Sequence, residues 1–351
     1  MRSTQTSINQ ILFREIKQQL YKYDCDEIEI DNFLHIKKDF LLRQQEAIQI
    51  IMNTMTAHGK QDLYQYVSEL ARVEHGIQVL EPWMRDHVVH SLLSFILGIY
   101  FNENFLSPSY NVNKLQWKLA GMFHDIGYPA EKAINIVKPL TRKVNKIKKR
   151  IGVNRKNVIA KMELTNLNIL QNDIDSFNLI QKQLKDWTIN IDPKFEYDNL
   201  VENGKIDHGM ISALILLYVL DMMYEANNPE REFKQKIAPG TNIDFNQKYF
   251  VGDIVSACTA IFIHNLPKEA FNNTRIDRRR TPIAFLLKLS DCLQQWERPS
   301  LYNKTGYMAT NFDISIQNNE IIFEAQIPQK EKIKMIEDIS SILISPDVIV
   351  I

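Results

Sequence analysis

Leu119-Ala-Gly-Met-Phe-His-Asp-Ile-Gly-Tyr-Pro129 is an apolar helical run that closes on a His124-Asp125 pair and is then broken by Gly127 and Pro129. An imidazole and a carboxylate side by side at the buried end of a helix carry a desolvation cost that a divalent cation would offset. The plain alternative is a helix end with a hydrogen-bonded histidine and a capping aspartate. Recurrence weighs against it. Upstream, Arg85-Asp-His-Val-Val-His-Ser91 opens an apolar helix from Leu92 to Phe101 and sets His87 and His90 three residues apart on one face. Downstream come Asp207-His208-Gly209, His264 at the end of the apolar run from Ile254 to Ile263, and Asp291 within Phe285-Leu-Leu-Lys-Leu-Ser-Asp291. Each lies in or beside an apolar stretch, where an unpaired ionisable group is a liability, and a shared metal site is the economical explanation.

In order and context, His90-Ser91, His124-Asp125 and the Asp291 of Leu289-Ser-Asp291 resemble the HD-domain metal-dependent phosphohydrolase superfamily, over roughly residues 83 to 298. His208 and His264 look like the two additional histidines of its binuclear subgroup, which includes HD-GYP phosphodiesterases and several nucleotide hydrolases. The resemblance implies a mainly α fold, an HD-type helical bundle. It also implies hydrolysis of a phosphoester or phosphoanhydride of a nucleotide-like substrate, by a hydroxide bridging two ions. One ion would be held by His90, His124, Asp125 and Asp291, the other by Asp125 with His208 and His264. Such a mixture of imidazole and carboxylate suits Fe, Mn, Co, Ni or Zn better than Mg. Where many members carry Lys after Ile-Gly, this chain has Tyr128, which leaves Lys132, Arg85 or the following segment to meet a phosphate. His87 either contacts substrate or orients the helix start, and both readings stay open. Asp291 reads as a ligand or as the partner of Lys288, three residues before it.

The chain has 351 residues, 42 basic and 42 acidic, so no global charge advertises a nucleic acid or a membrane as partner. Cys25, Cys258 and Cys292 show no Cys-x-x-Cys spacing, which argues against a disulfide frame or a zinc knuckle and for a reducing compartment. The N-terminus lacks an apolar signal core and no apolar run is long enough to span a bilayer, so the expectation is a cytoplasmic protein. Oligomerisation stays open.

Apolar periodicity makes residues 1–80 an N-terminal helical region packed on the bundle, with His35, His58 and His75 as fillers without a partner at ligand spacing. Residues 81–300 form the metal-binding domain, with a helical insertion at about 131–205. Between Ile134 and Met162 the chain carries Lys138, Arg142, Lys143, Lys146, Lys148, Lys149, Arg150, Arg155 and Lys156 and no acid. A solvated helix face is one reading of this run, and a phosphate-attracting lid or nucleic-acid contact is the other. Arg275, Arg278, Arg279 and Arg280 form a second basic cluster that could face the same polyanion. Pro282 is placed to begin a helix carrying Asp291, Gln294, Gln295 and Trp296. Residues 301–351 read as a small α+β appendage: a hairpin around Asn318-Asn319, a helix from Lys330 to Leu343, and a last strand at Val348 to Ile351. Two other functions remain open, a nucleic-acid-binding protein or nuclease using 138–156, and a catalytically inactive HD scaffold in a signalling or defence complex.

Overall fold

The computed structural model describes residues 6–35, 40–80, 85–133, 167–170, 174–226, 250–298 and 307–351. The protein is mainly helical, with a small sheet near its C-terminus. The basic run at 138–156 lies outside the described residues.

Helix α5 (Val88–Asn104) is the axis of the fold. Every residue from Val88 to Asn102 is buried, as expected for a helix that is apolar all round rather than on one stripe. Around it pack α6 (Lys114–Phe123) and α11 (Pro282–Leu293), and on these α10 (Ser256–Ile263), which in turn carries α9 (His208–Ala226). Gly98 lets α5 and α6 approach: the Trp117 indole occupies the space a Cβ at 98 would need, and its Nε1 donates to Phe95 O at 3.0 Å. Burying each large apolar side chain of this bundle contributes about 1.5–3 kcal/mol. That stabilisation offsets the desolvation of the few ionisable groups placed among them.

The N-terminal region forms α1 (Ile8–Ile16), α2 (Glu27–His35), α3 (Phe40–Thr56) and α4 (Tyr64–Leu80), of which α1, α3 and α4 contact α5. It is less continuous than periodicity suggests. Asp24, in the left-handed region at φ 53°, ends a short 3-10 turn before α2 begins. The described part of the 131–205 segment holds α7 (Ser176–Asp186) and α8 (Pro193–Glu202), capped by Asp175 and Asp192.

Two helix expectations need correction. The run entering α10 begins with a π-helical turn at Phe250–Val255, a looser winding that re-phases the chain before α10. The Pro282 helix does start with Pro at its first turn, but it stops at Leu293, so Gln294, Gln295 and Trp296 are not helical. Gln294 turns to an extended ψ of 90°, and its side chain serves two partners described below.

The C-terminal unit matches its reading closely. Strand β1 (Phe312–Gln317) pairs antiparallel with β2 (Glu320–Ala325), and β3 (Val348–Val350) adds parallel to β2 after α12 (Gln329–Ser340), giving the order β1-β2-β3. Asn318 and Asn319 both take positive φ, 51° and 64°, as a tight two-residue hairpin turn requires. The unit is continuous with the bundle core through Phe312, whose ring centroid lies 5.7 Å from that of Trp296. Among the described residues no helix is long and apolar enough to cross a membrane.

Candidate metal centre

Helix α6 ends at Phe123, which leaves His124 at its C-cap and Asp125 in the turn that follows. Gly127 is required where that turn meets α9: a Cβ there would collide with His208 O and stand 2.6 Å from Ser212 N, and its N–H instead donates to Ser212 Oγ at 2.8 Å. Asp207 accepts from Met210 N at 3.0 Å at the start of α9 and from Asn265 Nδ2 at 2.7 Å, tying the two histidine-bearing segments together. Gly209 then allows His264 to lie directly against α9.

These constraints bring His90, His124, Asp125, His208, His264 and Asp291 into one cluster. His90 Nε2 lies 2.9 Å from Asp291 Oδ1 and 3.8 Å from Asp125 Oδ2. His124 Nε2 lies 3.6 Å from Asp125 Oδ2 and 3.8 Å from Asp291 Oδ1, and His208 Nε2 lies 3.3 Å from Asp125 Oδ1. Donor atoms of His90, His124 and Asp291, and of His124, Asp125 and His264, fall within 4.8 Å of one another in two overlapping sets.

The outer nitrogens decide what the inner ones can do. His124 Nδ1 faces Gly121 O at 3.1 Å and His264 Nδ1 faces Ile261 O at 2.6 Å; a carbonyl only accepts, so each Nδ1 carries the proton. Gln294 donates its amide N–H to Trp296 O at 2.6 Å, which turns its oxygen toward His90 Nδ1 at 2.5 Å. The Glu131 carboxylate accepts from both Nδ1–H and the backbone N–H of His208, at 2.7 and 3.2 Å. In its neutral form, each of the four rings therefore presents an Nε2 lone pair to the cluster, where two carboxylates also point. His124 Nε2 is buried without a hydrogen-bond partner. Four such lone pairs and two carboxylates form a donor set that could hold a divalent cation.

Burial pushes His90 down to about 4, with the Arg298 charge adding, and burial together with the charge on His208 pushes His264 down to about 4. Burial opposes ionisation of Asp125, but the imidazoles of His124, His87, His208 and His90 outweigh it and hold the carboxyl below its usual range. Asp291 behaves alike: burial is overcome by His90, whose Nε2 lies 2.9 Å from it, and by the neighbouring rings. His208 differs, because although burial disfavours its charge, the Glu131 hydrogen bond and Asp125 raise it to about 9.

Of the other residues singled out, His87 Nδ1 sits 2.5 Å from Glu74 Oε1, and its ring stacks on Tyr128 at 3.7 Å between centroids. Tyr128 in turn meets the His208 ring edge at 5.5 Å, so the His87–Tyr128 stack flanks the cluster. Lys132 Nζ lies 4.8 Å from the Tyr128 ring centroid. Arg85 is exposed, and its Nη1 donates to Gln295 Oε1 at 3.0 Å. Lys288 Nζ donates to His264 O at 3.0 Å rather than pairing with Asp291. Arg278 pairs with Asp347 at 2.9 Å and Arg280 donates to Thr188 at 2.9 Å, so these two are occupied in holding the fold together.

Several supporting residues escape sequence reasoning. Glu131 and Gln294 orient ligand candidates, yet nothing in their spacing assigns them a partner. Glu74 and Asp86, both fully buried, share Gln44 Nε2 beneath His87; burial and the nearby Asp86 charge push Glu74 well above the usual carboxylate range. Compared with protein-family models, curated proteins and solved structures, the chain gives no match.

Proposed function

We propose that this protein is a metal-dependent phosphohydrolase of the HD type, cleaving a phosphoester or phosphoanhydride of a nucleotide-like substrate. The observation that carries the reading is the outward commitment of four Nδ1 protons, which aims four Nε2 atoms and the carboxylates of Asp125 and Asp291 at one another. His90, His124, Asp125 and Asp291 would hold one divalent transition-metal ion, and Asp125, His208 and His264 a second. Bound there, such ions acidify water toward neutral pH and neutralise charge on a phosphoryl group.

The chain's own groups do the positioning. Gln294, Glu131 and the carbonyls of Gly121 and Ile261 fix ring orientation, so little reorganisation is left for the moment of reaction. Arg85, within electrostatic reach of Asp291, and Lys132 beside Tyr128 supply positive charge for phosphate oxygens. The His87–Tyr128 stack flanks this cluster through the edge of the His208 ring.

The test is metal analysis of the purified protein and of Asp125→Ala, with turnover measured on a panel of nucleotides and phosphodiesters. Two transition-metal ions per wild-type chain, lost with turnover in Asp125→Ala, are expected. Turnover surviving in that variant refutes the assignment.

A further inference from the structure

Beside the cluster, two arginines join the same two pieces of chain. Arg85 Nη1 donates to Gln295 Oε1 at 3.0 Å and Arg298 Nε to Asp86 O at 3.4 Å, so both side chains bridge the residues before α5 and the residues after α11. Those two helices carry His90 and Asp291, whose side chains approach to 2.9 Å. Both acceptors are neutral, and among the described residues neither guanidinium lies within ion-pair distance of a carboxylate. Lys118, Arg43 and Arg278 are matched with Asp24, Glu297 and Asp347, whereas buried Lys288 donates to His264 O. Glu331, an acid within electrostatic reach of Arg85, is engaged by Tyr307 Oη at 2.7 Å instead.

Arg298 is only 8% exposed, so its charge is poorly hydrated. The two guanidiniums are close enough that the Arg298 charge pulls Arg85 down to about 10. Like charges in a poorly hydrated setting repel, and an anion that both can share removes the cost. The planar fork of arginine can meet two oxygens of one phosphate bidentately.

We propose that Arg85 and Arg298 together receive a second phosphoryl group, next to the one held at the metal centre, and that the substrate therefore carries two adjacent phosphates, as a nucleoside di- or triphosphate does. This rests on the phosphohydrolase reading. A lone monoester would leave the receptor empty.

The experiment is a calorimetric titration of methylenediphosphonate and of methylphosphonate into the purified full chain, its metal content measured beforehand. The diphosphonate is expected to bind at least about tenfold more tightly, since each charge-assisted hydrogen-bonded contact is worth about that factor. Arg85→Gln and Arg298→Gln should each remove most of that preference at unchanged metal content. Arg85 is exposed, so its variant keeps the test valid if Arg298→Gln unfolds, and Arg298→Lys, which keeps the charge without the fork, should lose part of the preference. No preference in the wild type, or one that Arg85→Gln and a folded Arg298 variant both keep, overturns the proposal. If the protein takes up no metal even with added Mn, the phosphohydrolase reading falls, and the same titration then judges the receptor alone. Arginine-dependent preference retains it; its absence overturns it.

Discussion

Gly209→Ala adds one methyl group where α9 crosses α10, and the structure sets the size of the effect. A Cβ at 209 would stand 2.8 Å from both Cε1 and Nδ1 of His264 and 2.8 Å from Ile261 O, about 0.6 Å short of ordinary contact at 3.4 Å. The ring cannot simply retreat, because its Nδ1 is held to that same Ile261 O at 2.6 Å and it meets the His124 ring edge on at 5.3 Å between centroids. Either α9 lifts, carrying His208 away from Asp125, or His264 tilts. Overpacking of this kind costs about 1–3 kcal/mol, which for a chain of this size lowers the melting temperature by about 1–4 °C. More telling is the metal. Donor distances tolerate only about 0.2 Å, so on the proposed function a displacement three times larger should release the ion assigned to Asp125, His208 and His264 while the other stays. Thermal melts with and without chelator, paired with elemental analysis, read both effects. Gly76→Ala is the matched control, since nothing lies within 4 Å of a Cβ there. Relief of glycine's helix penalty should leave that variant neutral or up to about 1 kcal/mol more stable. A Gly209→Ala protein indistinguishable from Gly76→Ala in melt and metal content would refute the packing argument.

Gln294→Leu leaves His90 Nδ1–H without its acceptor and should weaken metal binding by about 10–100-fold, measured by competition with a chromophoric chelator; an unchanged affinity would show that Gln294 does not orient the ring. The chelated protein should be most stable near about pH 6.5–7. On the acid side, burial holds His58, His90 and His264 down to about 4, so the unfolded chain takes up protons that the folded one refuses and stability falls as pH drops from about 6.5 to 4. On the alkaline side, the stability contributed by His208, raised to about 9, is complete below about pH 6.5 and is lost as pH rises toward 9. Urea midpoints that stay flat from pH 5 to 9 would contradict this. Asn319→Gly should be tolerated in the hairpin turn, whereas Asn319→Val, forced to a φ of 64°, should cost about 1–2 kcal/mol in a denaturant melt; equal midpoints would mean the turn relaxes.

The mainly helical fold and the meeting of the ligand candidates were legible for one physical reason. Each of His90, His124, Asp125, His208, His264 and Asp291 interrupts or ends an apolar run, and burying an ionisable group there is costly enough to need a purpose. The hairpin was legible because strand alternation and an Asn-Asn turn agree. What stayed hidden is what only tertiary packing creates. Glu131 reaches His208 across 77 positions and Gln294 reaches His90 across 204, and neither separation has a local signature. The π-turn at Phe250–Val255 lies within an apolar run, and hydrophobic periodicity reads straight through it. Within the Arg275–Arg280 cluster, charge density says nothing of the pairing of Arg278 with Asp347 and the Phe105 ring, which tertiary packing alone creates.

The residues just after Asp291 explain why a helical region and an α+β unit accompany the bundle. Gln294 orients His90, Gln295 accepts from Arg85, and Arg298 reaches Asp86 O. Between them, Trp296 donates to Asn9 Oδ1 at 2.9 Å and packs on Phe312, while Glu297 accepts from Arg43 and from Asn9 Nδ2. Asn9 and Arg43 belong to the N-terminal helices, and Phe312 to the C-terminal sheet. Glu297 sits at φ 55°, a strained conformation for a residue with a Cβ, and its N–H is fixed to Tyr307 O at 2.7 Å. Such a conformation persists only where surrounding contacts over-determine it. Here they come from both ends of the chain at once, and the segment they pin carries the amide that holds His90 in register. The two terminal units are thus buttresses of the Asp291 end of the site, and the strain at Glu297 marks where their support is applied.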